Sequence, residues 1–160
     1  MKGAKTILVL RDPVQRFVSN LRHVMMARQL SADDVKERLF ANDPVIQGNR
    51  ITRQLAGKID PSSGLSLTEQ HKMSLLDDIT DPIELLEAAY QAIDDAEIVG
   101  TSEDMGSVIK QLEFHGIAIK EEKRHVRDGY DLQLNASELD FVREINSLDL
   151  EIYNYARVRT

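Results

Sequence analysis

Apolar and polar residues follow a helical spacing over most of this chain, and two short apolar runs interrupt it. Thr6–Leu10 is apolar or β-branched throughout, without polar alternation, which predicts a buried strand. Ala96–Gly100 predicts a second short strand. Apolar residues spaced by three and four, with capping residues before them, predict helices over Val14–Arg28, Ser31–Phe40, Asn49–Ala56, from Asp81-Pro82 to Ile93, over Asp104–His115, and from Ser137 to Tyr155. Many helices around few strands indicate a helix-rich α/β fold, and the length favours one domain over residues 1–160.

The helix boundaries carry their own signals. Pro13 has a fixed φ and no donor, so it suits the first turn of a helix. Asp81 is expected to cap a helix, because Pro82 then takes the first helical position and Glu84 the third. Gly116 is expected to end a helix in the left-handed conformation. Ser137 is expected to cap the last helix, and Ser66–Glu69 has the spacing of a capping box.

Two strands are few for a parallel sheet, which normally has several and is covered on both faces. The first strand begins close to Met1, so we expect further strands to precede it. An incomplete sheet edge at Thr6–Leu10 would need covering, which makes a homo-oligomer plausible.

Composition narrows the class of protein. The chain has no cysteine, which excludes disulfide scaffolds and cysteine-ligated zinc, and no apolar run reaches the roughly 18 residues of a membrane span. No secretory leader is evident, so a cytoplasmic location is expected. The net charge is −7, but residues 1–28 hold six Lys or Arg and one Asp. A basic segment in an otherwise acidic protein suits a small anionic ligand better than a nucleic acid. A chance asymmetry would explain this charge distribution equally well.

The end of the first strand gathers groups that bind anions. Arg11 follows that strand directly, and ligands of open α/β sheets bind outside the carboxyl ends of strands. Its guanidinium matches phosphate or sulfate oxygens, and a helix beginning at Pro13 would turn its positive end to the same place. Ser19 follows one and a half turns into that helix. The alternatives are a surface arginine paired with Asp12 and a serine bonded to its own backbone.

Arg16, Ser19 and His23 share one helix face at positions i, i+3 and i+7. His23 lies one turn beyond Ser19, where it would touch a phosphate held there. The other interpretation of His23 is simply a polar helix face. The remaining histidines lack the spacing of metal ligands, and no metal is predicted.

The segment Leu10-Arg-Asp-Pro-Val-Gln-Arg-Phe-Val-Ser19 resembles the 3′-phosphate-binding motif of sulfotransferases, which use 3′-phosphoadenosine 5′-phosphosulfate (PAPS) as donor. In that family the arginine before Asp-Pro and the serine eight residues later hold the 3′-phosphate, which implies this role for Arg11 and Ser19. Three less specific islands resemble the bacterial and carbohydrate-type branch of the family: Asn49–Ala56, Ile98–Glu103, and Leu139–Ala156 with Asp149 and Tyr153.

The resemblance implies a partial P-loop-NTPase-like, three-layer fold with a small parallel sheet. It implies sulfuryl transfer from PAPS to an acceptor hydroxyl or amine, with adenosine 3′,5′-bisphosphate as product, an unidentified acceptor such as a carbohydrate, and no metal. The family's lysine-bearing 5′-phosphosulfate loop precedes the Arg-Asp-Pro motif, and this sequence has no such Gly-rich loop. The alternative is therefore a truncated, non-catalytic relative that binds a nucleotide or a protein partner.

A second basic cluster precedes the last predicted helix. In sulfotransferases a late basic loop often closes over the nucleotide, which implies that role for Arg124 and Arg127; the alternative is a solvated loop alternating with acidic residues. Arg50 and Arg53 would line an acceptor groove or pair with acids. Glu103 follows the second strand. It would serve either as a functional group or as a cap of the next helix.

Overall fold

The structure is a computed structural model that describes residues 6–41, 46–57, 81–118 and 131–159. Its elements in chain order are β1 Ile7–Leu10, α1 Pro13–Arg28, α2 Ala32–Phe40, α3 Arg50–Ala56, α4 Pro82–Asp94, β2 Ile98–Thr101, a 3-10 turn Ser102–Asp104, α5 Met105–Phe114, α6 Ala136–Ile145 and α7 Ser147–Val158. The predicted helix-rich α/β fold is confirmed. The predicted cap at Ser66–Glu69 lies outside the described residues.

The two strands form the small parallel sheet that the sequence predicts. Ile7 lies opposite Ile98, and Leu10 lies opposite Thr101. β2 is buried along its whole length, but the prediction that the first strand is buried is wrong for half of its residues. Ile7 and Val9 are 39% and 42% exposed, because they share one face of β1 and that face is only partly covered. The predicted self-association through this strand stays a prediction.

Most helix starts follow the capping signals in the sequence. The Asp12 carboxylate accepts the Gln15 N–H at 2.8 Å, and Pro13 occupies the first turn of α1. Ser31 caps α2 in a reciprocal capping box with Asp34. Asp81 caps α4 in the predicted way. Gly116 ends α5 with a φ of +74°.

The long last helix predicted from Ser137 to Tyr155 is wrong in two respects. Asn135, not Ser137, is the cap, and it forms a capping box with Glu138. Two helices replace the single one, because the chain leaves helical geometry at Asn146, where φ is −110° and ψ is 25°. The Asn146 side chain donates to the Val142 carbonyl at 2.8 Å and accepts the Asn49 N–H at 3.2 Å, so contacts from outside the helix stabilise the break.

Two apolar clusters position the site. One surrounds the sheet and joins β1 and β2 to α3, α4 and α7, with fully buried Ile93 and Ile152. The other joins α1 to α2 and α6 around Leu21, Val35 and Val142. Outside these clusters, α1 meets α3 through the hydrogen bond from Arg16 to Gln54 at 3.1 Å.

Candidate anion-binding site

The junction between β1 and α1 is held by the end of β2. Arg11 is exposed at the carboxyl end of β1. The Asp12 N–H donates to Glu103 Oε1 at 3.1 Å, and the Tyr153 hydroxyl donates to Glu103 Oε2 at 3.0 Å. Asp104, not Glu103, caps α5 by accepting the Ser107 N–H at 3.2 Å. Glu103 therefore fixes the turn that presents Arg11.

These contacts change the acidity of both side chains. Partial burial tends to raise the pKa of Glu103, but the hydrogen bonds from the Asp12 N–H and from Tyr153 outweigh it, and the pKa lies below its ordinary value. Burial raises the pKa of Tyr153, and the bond to the Glu103 carboxylate raises it further. Glu103 is consequently an acceptor-only carboxylate at neutral pH.

A cavity of about 360 Å³ lies between α1 and α3. The described residues that line it are Arg16, Phe17, Ser19, Asn20, His23 and Arg50. Three of the predicted ligand residues on the first helix thus meet at one place, because spacings of three and seven residues bring them to one face of α1. Arg50 joins them from the first position of α3.

Arg11 does not line that cavity. It lines a second one of about 310 Å³, which follows β1 and reaches Ile51 and Leu55 of α3. Arg16 lines both cavities. The predicted pair of Arg11 and Ser19 is therefore divided between neighbouring cavities that share Arg16.

Arg16 is half-buried and held in place. Its Nη2 donates to Gln54 Oε1 at 3.1 Å. Burial lowers the pKa of Arg16, the Asp149 charge opposes that effect, and the charge of Arg50 lowers the pKa further. An arginine stays protonated at any physiological pH, so Arg16 and Arg50 face the cavity as two like charges.

The position of Arg50 depends on α7. Asp149 is 1% exposed, and its Oδ2 accepts the Ile51 N–H at 3.0 Å. Its Oδ1 accepts the Thr52 N–H at 2.7 Å and the Thr52 hydroxyl at 2.7 Å. The Asp149 carboxylate thus caps α3, whereas Asn49 at the start of α3 makes no side-chain cap bond. Asp149 therefore fixes the backbone that follows Arg50.

The electrostatic character of the cavity is cationic. Among the described lining residues no side chain is acidic, and Arg50 makes no ion pair with a described residue. The buried Asn20 Nδ2 has no hydrogen-bond partner within the described part of the chain. Two guanidinium groups, a hydroxyl, an amide and an imidazole therefore offer donors to an anion.

Several predicted residues lie elsewhere. Arg124 and Arg127 fall outside the described residues. Arg53 does not line the cationic cavity, so the structure separates it from Arg50. Within ranges 6–41, 46–57, 81–118 and 131–159, no group of three or more acidic or histidine side chains could hold a metal ion.

Sequence reasoning missed how the site is assembled. It proposed an acceptor groove or ion pairs for Arg50, and it noted Asp149 only within a resemblance. Their relation joins residues about 100 positions apart, for which a single sequence has no local signal. Asn20 was also missed, although its place one residue after Ser19 could have suggested it.

Comparison with known proteins identifies no relative. No protein-family model matches the chain. No curated protein and no solved structure matches it at the required significance. Among the described helices, none has the length and apolar character needed to cross a membrane.

Proposed function

We propose that this protein is a PAPS-dependent sulfotransferase that holds the 3′-phosphate of its nucleotide at the junction of β1 and α1. The observation that carries the proposal is the cationic cavity in which Arg16, Ser19 and His23 of the motif-bearing helix meet. The Arg-Asp-Pro motif supports it, because its strand, turn and helix form as this role requires. The proposal includes a partial P-loop-NTPase-like, three-layer fold and a cytoplasmic location.

The residues of this chain would act by binding and orienting. Ser19 would donate to the 3′-phosphate, Arg16 and His23 would surround it, and Arg11 would approach from the neighbouring cavity. By resemblance, Arg124 and Arg127 would close over the nucleotide. Positioning and charge stabilisation are the main contributions to such in-line transfer, and no described residue is assigned to bond breaking.

A second candidate is nucleotide binding without transfer. The described residues that line the cavity are groups that bind a phosphate, and none of them is assigned to bond breaking. Sulfuryl transfer from PAPS to a panel of hydroxyl and amine acceptors, assayed in parallel with nucleotide binding, discriminates between the two. Binding without transfer to any acceptor would favour the second candidate.

Calorimetry with adenosine 3′,5′-bisphosphate tests the binding step common to both. Arg11→Ala is expected to weaken binding by about tenfold, the scale of a hydrogen bond to a charged group. Arg28→Ala is the control, because it removes the same charge from the opposite end of α1, roughly 22 Å from Pro13 at 1.5 Å per residue. An unchanged affinity in Arg11→Ala would contradict the assignment.

A further inference from the structure

We infer that the cavity between α1 and α3 is a binding site for a phosphate monoester in its doubly charged form, and that Arg50 sets the preference for two charges over one. The inference deepens the proposed function, because the same cavity would take a nucleotide 3′-phosphate. It does not require a nucleotide, since it rests on residues of the cavity alone.

Two arginines and no described acidic side chain line the cavity. Arg16 and Arg50 are close enough for their charges to repel each other, and no described carboxylate lines the cavity between them. Bringing two like charges together is unfavourable in the free protein. A ligand with two negative charges relieves that repulsion more than a ligand with a single charge does.

Asp149 is a carboxylate whose charge acts on Arg16. Asp149 attracts Arg16, but its oxygens already accept three hydrogen bonds from the start of α3. Arg16 gives one donor to Gln54 and, like any guanidinium, has five in all. Arg16 is thus held in place while donors remain for a ligand.

Asn20 contributes a buried amide nitrogen. Its Nδ2 is a hydrogen-bond donor without a partner among the described residues, although it lines the cavity. A buried donor without a partner is costly, and most such groups in proteins are satisfied. One phosphate oxygen would accept a hydrogen bond from Asn20 Nδ2, and another could accept one from the Ser19 hydroxyl.

The size of the cavity suits a small ligand. A volume of about 360 Å³ is at the lower end of the range of small-molecule sites. It accommodates a phosphate group together with a small attached group. Phe17 supplies an apolar wall against which that attached group would pack.

Methyl phosphate and methyl sulfate are matched probes, because they have nearly the same shape but differ by one charge at pH 8, where a phosphate monoester is fully ionised. Amide chemical-shift titrations should show tighter binding of methyl phosphate, with shifts confined to α1 and α3. Equal affinity for the two esters, or no binding of methyl phosphate at millimolar concentration, would overturn the inference.

Arg50→Ala should weaken methyl phosphate binding by about tenfold or more and reduce the preference over methyl sulfate. Arg53→Ala is the matched control, because it removes the same charge from the same helix but does not line the cavity. Arg50→Lys should rescue binding in part, since it restores the charge without the planar fork. Equal weakening by Arg50→Ala and Arg53→Ala would show a general charge effect and contradict the site.

Asn20→Asp provides a test that does not depend on a destabilised fold. The two side chains have the same size, and the new carboxylate would lie in the cavity lined by Arg16 and Arg50, so the free protein should remain folded. Methyl phosphate binding should nevertheless be lost. Retained binding in a folded Asn20→Asp variant would contradict the inference.

The nucleotide experiment separates this inference from the proposed function. Binding of methyl phosphate that depends on Arg50, with no binding of adenosine 3′,5′-bisphosphate, supports the cavity site and contradicts the proposed function. Nucleotide binding that depends on Arg11 but not on Arg50 supports the proposed function and contradicts the cavity site.

Discussion

Asp149 on α7 caps α3 through Thr52, whose N–H and hydroxyl both donate to Asp149 Oδ1 at 2.7 Å. The relation is reciprocated, because Asn49 before α3 accepts the N–H groups of Leu148 and Asp149 at 3.0 and 3.2 Å. The N–H groups at the start of α3 therefore donate to a residue of α7, and those at the start of α7 donate to the residue before α3. This exchange places Arg50 at the cavity.

Asp149→Asn is expected to destabilise the fold by about 3 kcal/mol, because an amide cannot accept from both the Ile51 N–H and the Thr52 donors, and buried donors without a partner are costly. Urea unfolding monitored by circular dichroism measures the effect. Asp140→Asn is the control, since the pair of Asp140 and Arg143 is exposed and its loss should cost less than about 1 kcal/mol. Equal losses in the two variants would show that the capping by Asp149 contributes little.

Gly48 allows the break between α6 and α7 to pack against the start of α3. A Cβ on Gly48 would lie 1.9 Å from the Ile145 carbonyl oxygen and 2.6 Å from its carbon, which are backbone atoms of the last residue of α6. Gly48→Ala should therefore destabilise the protein by on the order of 3 kcal/mol, the upper range for inserting atoms into a packed site.

Gly106→Ala is the matched control for that prediction. The nearest heavy atom to its added Cβ is 3.9 Å away, and the residue lies in α5 with a backbone that alanine can adopt. Thermal unfolding should show Gly106→Ala to be more stable by about 0.5–1 kcal/mol, since alanine restricts the unfolded chain. Similar effects of the two substitutions would contradict the packing argument at Gly48.

Local signals explain which parts of the fold could be predicted. Pro13, Ser31 and Asp81 mark helix starts through their own side chains and those of close neighbours, and these starts were predicted. The break at Asn146 was missed because the apolar spacing continues through it, while the contact with Asn49 that stabilises the break comes from 97 residues away. The cap at Asn135 was also missed, although Glu138 three residues later completes a capping-box pattern that was available in the sequence.

The candidate site likewise contains residues that could be grouped from the sequence and residues that could not. Arg16, Ser19 and His23 could be grouped because one helix carries them, and the structure brings them together. The predicted pairing of Arg11 with Ser19 crosses a turn, and the structure places these residues in neighbouring cavities. Arg50 joins the site through the packing of α3 against α4 and α7, where Asp149 holds the start of α3, and no spacing in the sequence encodes this packing.

Ser19→Ala tests the site with little effect on the fold. Ser19 is exposed and makes no hydrogen bond with a described side chain, so its loss should change the free energy of unfolding by less than about 0.5 kcal/mol. Affinity for adenosine 3′,5′-bisphosphate should fall by about tenfold, because a donor to a charged oxygen is removed. Ser147→Ala, at the exposed first position of α7, is the control and should bind normally. Unchanged nucleotide affinity in Ser19→Ala would remove Ser19 from the proposed site.

Glu103 should make the stability of the junction sensitive to acid. Its pKa in the folded protein is below its ordinary value, so the unfolded chain takes up a proton at higher pH than the folded one does. The stabilisation is present at neutral pH, begins to decline near the ordinary glutamate pKa of about 4.3, and is lost as the pH falls through the folded value. Urea unfolding between pH 7 and pH 3 should show a smaller decline in Glu103→Gln than in the natural sequence.

Tyr153→Phe tests the cause of that shift. Removing the Tyr153 hydroxyl leaves the bond from the Asp12 N–H in place, so the pKa of Glu103 should rise only part of the way toward its ordinary value. The acid-dependent loss of stability should then be intermediate between those of Glu103→Gln and the natural sequence. A carboxyl NMR titration measures the Glu103 pKa directly, and an unchanged value in Tyr153→Phe would show that the tyrosine hydrogen bond does not contribute to the shift.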